Sequence, residues 1–444
     1  MNDARLVARA GLVVLALLVC AAPALAQRPR PDRAYRGLFG GNGADPNAPQ
    51  AFDLNASLFG AYDDNVLADA GQATTDPRFQ KSGAYTGGSV SLDFTRHRGR
   101  VALDSSAGTT YRRFFSTKQL TGFNSFGSLG LGVQFSPRTD FRTSESVSYS
   151  PFYSYGAFPG LGPSAPGDVI PISPDYPLFE QHVLSLASAS SIERHLTRRS
   201  SLSADYLVSY RSYSGGRQPF VTWRAGGKYS HDVTRYASVN LGYHYRRSTS
   251  GLYAGGRPIE DHELSVGIDY SRPLSFSRKT TFGFSTGSTI HRSTSPAGAG
   301  GADVQYKWHF LVTGDTYLDR EIGKSWTAQL TYSRRLQYID GFSDPLLSNS
   351  VAASASGYAG ARSHLEFNAA YTSGTVGVGV SGNHHNSYTG AARYQLALVK
   401  SVALFVDYTY YHYLFNQTVA LPAGMNRGLN RQSVRIGLKF WLPL

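Results

Sequence analysis

Cysteine is nearly absent: Cys20 is the one example in 444 residues. The first 26 residues read as a secretory signal, with Arg5 and Arg9 as its charged region, Leu12 to Val19 as its apolar stretch and Ala24-Leu25-Ala26 as its cleavage site. Cleavage after Ala26 removes Cys20, which excludes a disulfide framework and a cysteine metal site from the mature chain. The alternative, a lipoprotein cysteine at position 20, has bulky Val19 where that processing wants a small residue. Long hydrophobic runs are missing too. After residue 26 nothing approaches the ~18 apolar residues of a spanning helix, so a membrane-integral form has to cross with strands. Acidic residues are the scarcer charge, 30 against 43 Lys and Arg, for a formal net charge of +13. That excess suits nucleic acid, an anionic solute or anionic lipid, and export excludes the first.

What the chain has is alternation. In the segment 433–440, Val434, Ile436, Leu438 and Phe440 are apolar while Ser433, Arg435, Gly437 and Lys439 suit water. Strand geometry puts the two sets on opposite faces of a sheet. Residues 27–51, with Pro29, Pro31, Gly40, Gly41, Gly43, Pro46 and Pro49, read as a flexible periplasmic lead-in. From Phe52 the pattern predicts strands at 52–62, 85–95, 100–111, 123–135, 140–150, 180–193, 201–211, 220–230 and 236–246. It continues at 262–271, 280–291, 303–314, 325–335, 349–359, 363–373, 388–399, 401–411 and 431–441. That is about eighteen strands, with 16 to 20 open because 374–387 can extend a hairpin.

Connections alternate in length. Short ones such as Arg96-His97-Arg98-Gly99 and Ser136-Pro137-Arg138-Thr139 follow even-numbered strands, and long ones such as 63–84, 151–179, 247–261 and 412–430 follow odd ones. Outer-membrane barrels have short periplasmic turns, long external loops and even strand counts. With odd strands running outward, Tyr62, Tyr111, Tyr149, Tyr210, Tyr245, Tyr332, Tyr371 and Tyr410 fall on the oily face at the outer end. Phe94, Phe135, Tyr229, Tyr270 and Phe440 fall on it at the other end, which gives two interfacial belts. The fold class expected is all-β, a transmembrane up-and-down antiparallel barrel over 52–444.

The polar face assigns Arg142, Arg211, Arg224, Lys228, Arg246, Lys307, Arg393, Arg435 and Lys439 to the lumen as cations. It assigns Asp93, Asp104, Glu193, Asp205, Glu263, Asp269, Glu366 and Asp407 to it as acids. Nine against eight is near balance, so net charge does not make the pore anion-selective. Much of the excess sits in short turns, among them Arg98, Arg138, Arg198, Arg199, Arg235 and Lys324, either as solvated turn charges or as contacts to anionic headgroups. Glu145 falls on the oily face; a bulge or an interfacial position would account for it. Loop 151–177 has seven prolines among Phe152, Tyr153, Tyr155, Phe158 and Tyr176, and these are the candidates for a stiff constriction of the channel. His262 with Ser288 lacks a third group to orient the histidine, and His384-His385 lacks metal-ligand spacing and reads as loop decoration. Neither an enzyme nor a cofactor is expected.

The segment Leu58-Phe59-Gly60-Ala61-Tyr62-Asp63-Asp64-Asn65-Val66 resembles the opening of the β-barrel porin 2 family, whose members begin the barrel with an aromatic followed by an acidic-Asn turn. Physically, Asp63, Asp64 and Asn65 suit a strand-ending turn because their side chains bond nearby backbone amides. The C-terminus departs from the usual terminal aromatic, since Leu442-Pro443-Leu444 follow Phe440 and Trp441. The resemblance implies an outer-membrane barrel similar to some exopolysaccharide-secretion barrels. Three readings follow: a passive diffusion channel, a conduit for secreted polysaccharide, and a non-transporting anchor or adhesin. The expected partners are outer-membrane lipid and lipopolysaccharide, the barrel assembly machinery and periplasmic polysaccharide-export components.

Overall fold

The computed structural model describes residues 35, 38–39, 50–65, 82–115, 121–150, 182–213, 219–249, 259–274, 279–295, 305–323, 325–337, 346–377, 382–419, 421 and 427–443. Every regular element among them is a strand. The first nine are β1 (Gln50–Asp63), β2 (Gly83–Arg98), β3 (Val101–Phe114), β4 (Thr121–Ser136), β5 (Thr139–Ser150), β6 (Val183–His195), β7 (Ser200–Tyr213), β8 (Phe220–Asp232) and β9 (Ala237–Thr249). They are followed by β10 (Ile259–Pro273), β11 (Thr280–Ser295), β12 (Gln305–Ile322), β13 (Trp326–Gln337), β14 (Leu346–Tyr358), β15 (Ser363–Val376), β16 (His384–Val399), β17 (Val402–Phe415) and β18 (Gly428–Pro443). Each pairs antiparallel with the next, and β18 returns to β1, so the 18-stranded sheet has no free edge. Closure is what lets a sheet cross a bilayer, because an open edge would leave backbone amides without partners in hydrocarbon.

The residue pattern explains the geometry. On β18 the outward Val434, Ile436 and Leu438 are exposed while the inward Arg431 and Lys439 are buried. Tyr62, Tyr111, Tyr149 and Tyr332 are exposed outward at the long-loop end, and Phe135 and Tyr229 are exposed at the short-turn end. Gly99 and Gly323, with φ of 57° and 63°, supply the left-handed positions of two short turns. In another, the Thr234 hydroxyl accepts from the amides of Tyr236 and Ala237 at 3.1 and 3.0 Å.

Among the described residues every segment expected from alternation holds a strand, and several strands run further. β12 continues to Ile322, β16 starts at His384 and β18 at Gly428. Hydrogen bonding persists beyond the apolar stripe, because a barrel strand outlasts the hydrocarbon it crosses. His384 and His385 therefore belong to β16, not to a loop. The hairpin at 374–387 adds no further strand pair among the described residues, and Val378 and Val380 lie outside them. The signal segment and most of the lead-in lie outside them as well. Of the lead-in, Gln50 and Ala51 already belong to β1, and of three further placed residues Leu38 and Phe39 are buried against Ala397 and Ala403 at the short-turn end, with Tyr35, Tyr358 and Trp441 around them.

Candidate functional site

The lumen has two unlike walls. Along β14 to β18 and on through β1 to β3, many inward polar positions are buried, among them Ser348, Thr372, His385, Thr389, Gln395, Asp407, Arg431, Lys439, Asn55, Asp63, Thr110 and Arg112. Two ion-pair clusters organise this wall. Arg431 grips Asp63 through Nε at 2.9 Å and through its terminal nitrogen, with both side chains nearly inaccessible. Asp407 receives Arg393 Nε at 2.8 Å and Arg435 Nε at 3.0 Å. A planar carboxylate shared between two guanidinium forks keeps this buried charge satisfied.

The Asp63-Asp64-Asn65 turn does more than end a strand. Asp63 accepts from the Asn65 amide at 2.9 Å, the local turn bond expected. All three residues also reach β18: Asp63 to Arg431, Asp64 to the amide of Gln432 at 2.7 Å, and Asn65 to the carbonyl of Asn430 at 2.9 Å. They fasten the first strand to the last at the outer end of the barrel seam. Trp441 does the same near the other end, donating to Asp53 at 3.1 Å.

Apolar rings fill the middle of the same wall. Phe59, Tyr85, Phe114 and Phe405 form a buried inward cluster, and the Arg435 guanidinium lies 5.3 Å from the Phe59 ring and 5.6 Å from Phe405. Gly437 makes room for them, since a Cβ there would come within 2.2 Å of the Leu58 carbonyl oxygen and 2.7 Å of the Phe59 Cβ. His385 stacks on Phe415 with ring centroids 5.6 Å apart.

The opposite wall, β4 to β13, is open. Lys228 bonds Asp269 at 3.3 Å, His244 lies 3.0 Å from Asp205, and Arg335 lies 2.7 Å from Asp315 with its side chain 61% exposed. A cavity of about 550 Å³ indents this wall, lined by Arg142, Ser144, Ser191, Asp205 and Arg224 and, at its border, by Asp104 of the adjoining β3. Among the described residues, Arg142 and Arg224 pair with no carboxylate. Arg211 and Arg246 lie on inward positions of β7 and β9, and Glu366 on β15 accepts from Asn368 at 2.9 Å. Lys307 falls in β12, and its side chain lies outside the described residues.

The outer mouth is bridged by apolar side chains. Val183 and Tyr213 from β6 and β7 belong to one buried cluster with Leu346, Val376, Tyr413, Phe415 and Leu429 from β14 to β18, and with Val419 from the β17–β18 connection. Arg427 holds that connection inward by donating to the carbonyls of Asn416 and Val419 at 2.7 and 3.1 Å. The constriction expected at Phe152, Tyr153, Tyr155, Phe158 and Tyr176 lies outside the described residues.

Two expectations need correcting. Ser288 pairs with Val266, not with a neighbour of His262, so register separates it from the histidine by four residues, roughly 13 Å along the strand. His262 instead meets Tyr243, whose hydroxyl is 2.8 Å from Nδ1. No bulge displaces Glu145: it pairs in register between Leu129 and Ser188 and stays on the outer face. Sequence reading also missed Asp63, Arg112, Asp315, Arg335 and Arg431 as inward charges. Their signal was the same two-residue parity, extended past the apolar stripe. No group of His, Cys, Asp and Glu among the described residues is arranged to hold a metal.

A closed 18-strand barrel, apolar outside with aromatic rims and polar within, is a multi-pass outer-membrane β-barrel. No protein-family model and no curated protein matches the chain. Among solved structures it is similar to OccK2 (OpdF) of Pseudomonas aeruginosa, with a TM-score of 0.45 and 11% identity over 89% of this chain and 98% of that one. It is also similar to OccAB4 of Acinetobacter baumannii, with a TM-score of 0.42 and 9% identity over 90% and 100% of the two chains. The FrpB iron transporter of Neisseria meningitidis gives 0.44 and 7% identity over 92% and 83%. The β-barrel porin 2 resemblance rests on Leu58–Val66 alone.

Proposed function

We propose that the protein is a passive outer-membrane channel for small polar solutes, with its route along the β4–β13 wall. The observation that carries this is the indented, charge-lined cavity on that wall, inside a barrel too wide for side chains from both walls to fill. Arg142 and Arg224, with Asp104 and Asp205 nearby, offer a passing solute both signs of charge. The sealed wall offers few groups, since its charges are occupied with one another. The apolar bridge at the outer mouth narrows the route, because water and ions cross short apolar constrictions reluctantly.

Conduction by the refolded protein in planar bilayers tests this. Discrete single-channel steps are expected, and replacing Val419 with Gly should raise their size by loosening the outer bridge. A barrel that never conducts would reject the channel and leave the anchor or adhesin. The polysaccharide conduit stays second. It draws on the family resemblance and on aromatic loop 151–177, and loss of surface polysaccharide on gene deletion would bring it forward.

A further inference from the structure

At the short-turn end, the sealed wall is covered by the chain's own lead-in. The seat lies on the inward face where five strands end or begin, at Tyr358 of β14, His364 of β15, Ala397 of β16, Ala403 of β17 and Trp441 of β18. Ala397 and Ala403 stand directly opposite each other, while the inward positions beside them hold Gln395, Phe405 and Lys439. Two alanines among larger side chains leave a hollow, and Leu38 and Phe39 fill it. The Phe39 ring stacks on His364 with centroids 5.6 Å apart and meets Tyr358 edge-on at 5.6 Å. Tyr35 adds a contact, its ring 5.9 Å from the Arg362 guanidinium.

The cover changes what water can reach. Ala397 and Ala403 are 2% and 0% exposed at the mouth of a barrel too wide for its wall side chains to fill, and Gln395, Lys439 and Asn55 beside them are buried as well. Leu38 and Phe39 are the groups packed over the two alanines. Tyr35, Leu38 and Phe39 lie in turns outside the sheet, so lifting them breaks no strand pairing. Segments tied by side chains alone open at far lower cost than the ladder beneath them. The seat itself is carried by paired strands, and Trp441 is further fixed by its bond to Asp53 of β1.

We propose that Tyr35–Phe39 is a strap that closes the inner mouth over the β14–β18 wall, and that its release admits water and ions to that wall. The apolar bridge around Val419 covers the same strands at the outer mouth, so the wall is capped at both ends. The effect on current rests on the channel reading, whereas the cover of the wall does not.

Thiol labelling of Ala403→Cys in the refolded full chain tests the cover, and planar-bilayer recording tests the opening. A membrane-impermeant maleimide should modify Ala403→Cys slowly, and about tenfold faster or more once Leu38→Asp with Phe39→Asp ejects the strap. Deleting residues 35–39 should give the same acceleration, and Leu38→Met with Phe39→Tyr, which keeps the apolar bulk, should not. Heat-modifiability identifies the variants that hold the folded barrel. In bilayers, the aspartate pair and the deletion should both enlarge the single-channel steps. Equal labelling with and without the strap overturns the proposal, as does faster labelling with unchanged steps. A wild type that never conducts removes the channel reading, and the labelling contrast alone then decides the strap.

Discussion

The two walls of the lumen use the same residue types to opposite ends. On the sealed wall, Asp63, Arg431 and Asp407 are buried, Arg393 and Arg435 are partly so, and the charges meet in two clusters, Asp63 with Arg431 and Asp407 with Arg393 and Arg435. On the open wall, Arg335 with Asp315 and Lys228 with Asp269 keep a third or more of each side chain accessible, and Arg142 and Arg224 face a cavity. The difference is one of dielectric surroundings. A buried pair cannot lose a partner without stranding a charge, whereas an exposed one exchanges its partner for water. Charge on the first wall thus holds the barrel shut along its seam, and charge on the second is free to meet solute.

Removing one partner at a time should expose that contrast. Arg431→Ala strands Asp63 at the β1–β18 seam and should lower stability by about 3–5 kcal/mol, read as an earlier urea transition of the folded, heat-modifiable form. Restoring an uncharged pair with Asp63→Asn and Arg431→Gln should recover part of it. Gly437→Val should also loosen the seam, by ~1–3 kcal/mol for overpacking against Phe59 and the Leu58 carbonyl, by the same measurement. Asp315→Ala on the open wall should cost no more than about 1 kcal/mol, because Arg335 is solvated. Smallest in stability, though visible in reversal potential, is the charge reversal of Arg142 and Arg224 to Glu. It should leave unfolding within about 0.5 kcal/mol of wild type and move the channel toward cations.

The sequence disclosed the strands because lipid outside and water inside force a two-residue rhythm, as Val434 to Phe440 display. The same parity is what assigned Asp407, Arg435 and Arg142 to the inward face. It did not disclose which of those charges are paired. Arg431 and Asp63 are 368 positions apart, and only the closing register of β1 on β18 makes them neighbours. The inward rings of Phe59, Tyr85, Phe114 and Phe405 were equally hidden, since a polar lumen gives no reason to expect aromatic filling on one side. Counting nine cations against eight acids gave a balanced pore, but neutralisation is local. Asp407 is shared by two arginines on the sealed wall, and among the described residues Arg142 and Arg224 have no carboxylate partner on the other.

Thiol modification during single-channel recording tests most directly whether solute travels along one wall. Ser144→Cys on β5 lines the open cavity, while Ser350→Cys on β14 takes the place of a buried hydroxyl bonded to Thr372 at 2.8 Å. A charged, membrane-impermeant thiol reagent should reduce the current through Ser144→Cys and leave that through Ser350→Cys unchanged. Equal block at both positions, or block only at Ser350→Cys, would contradict it.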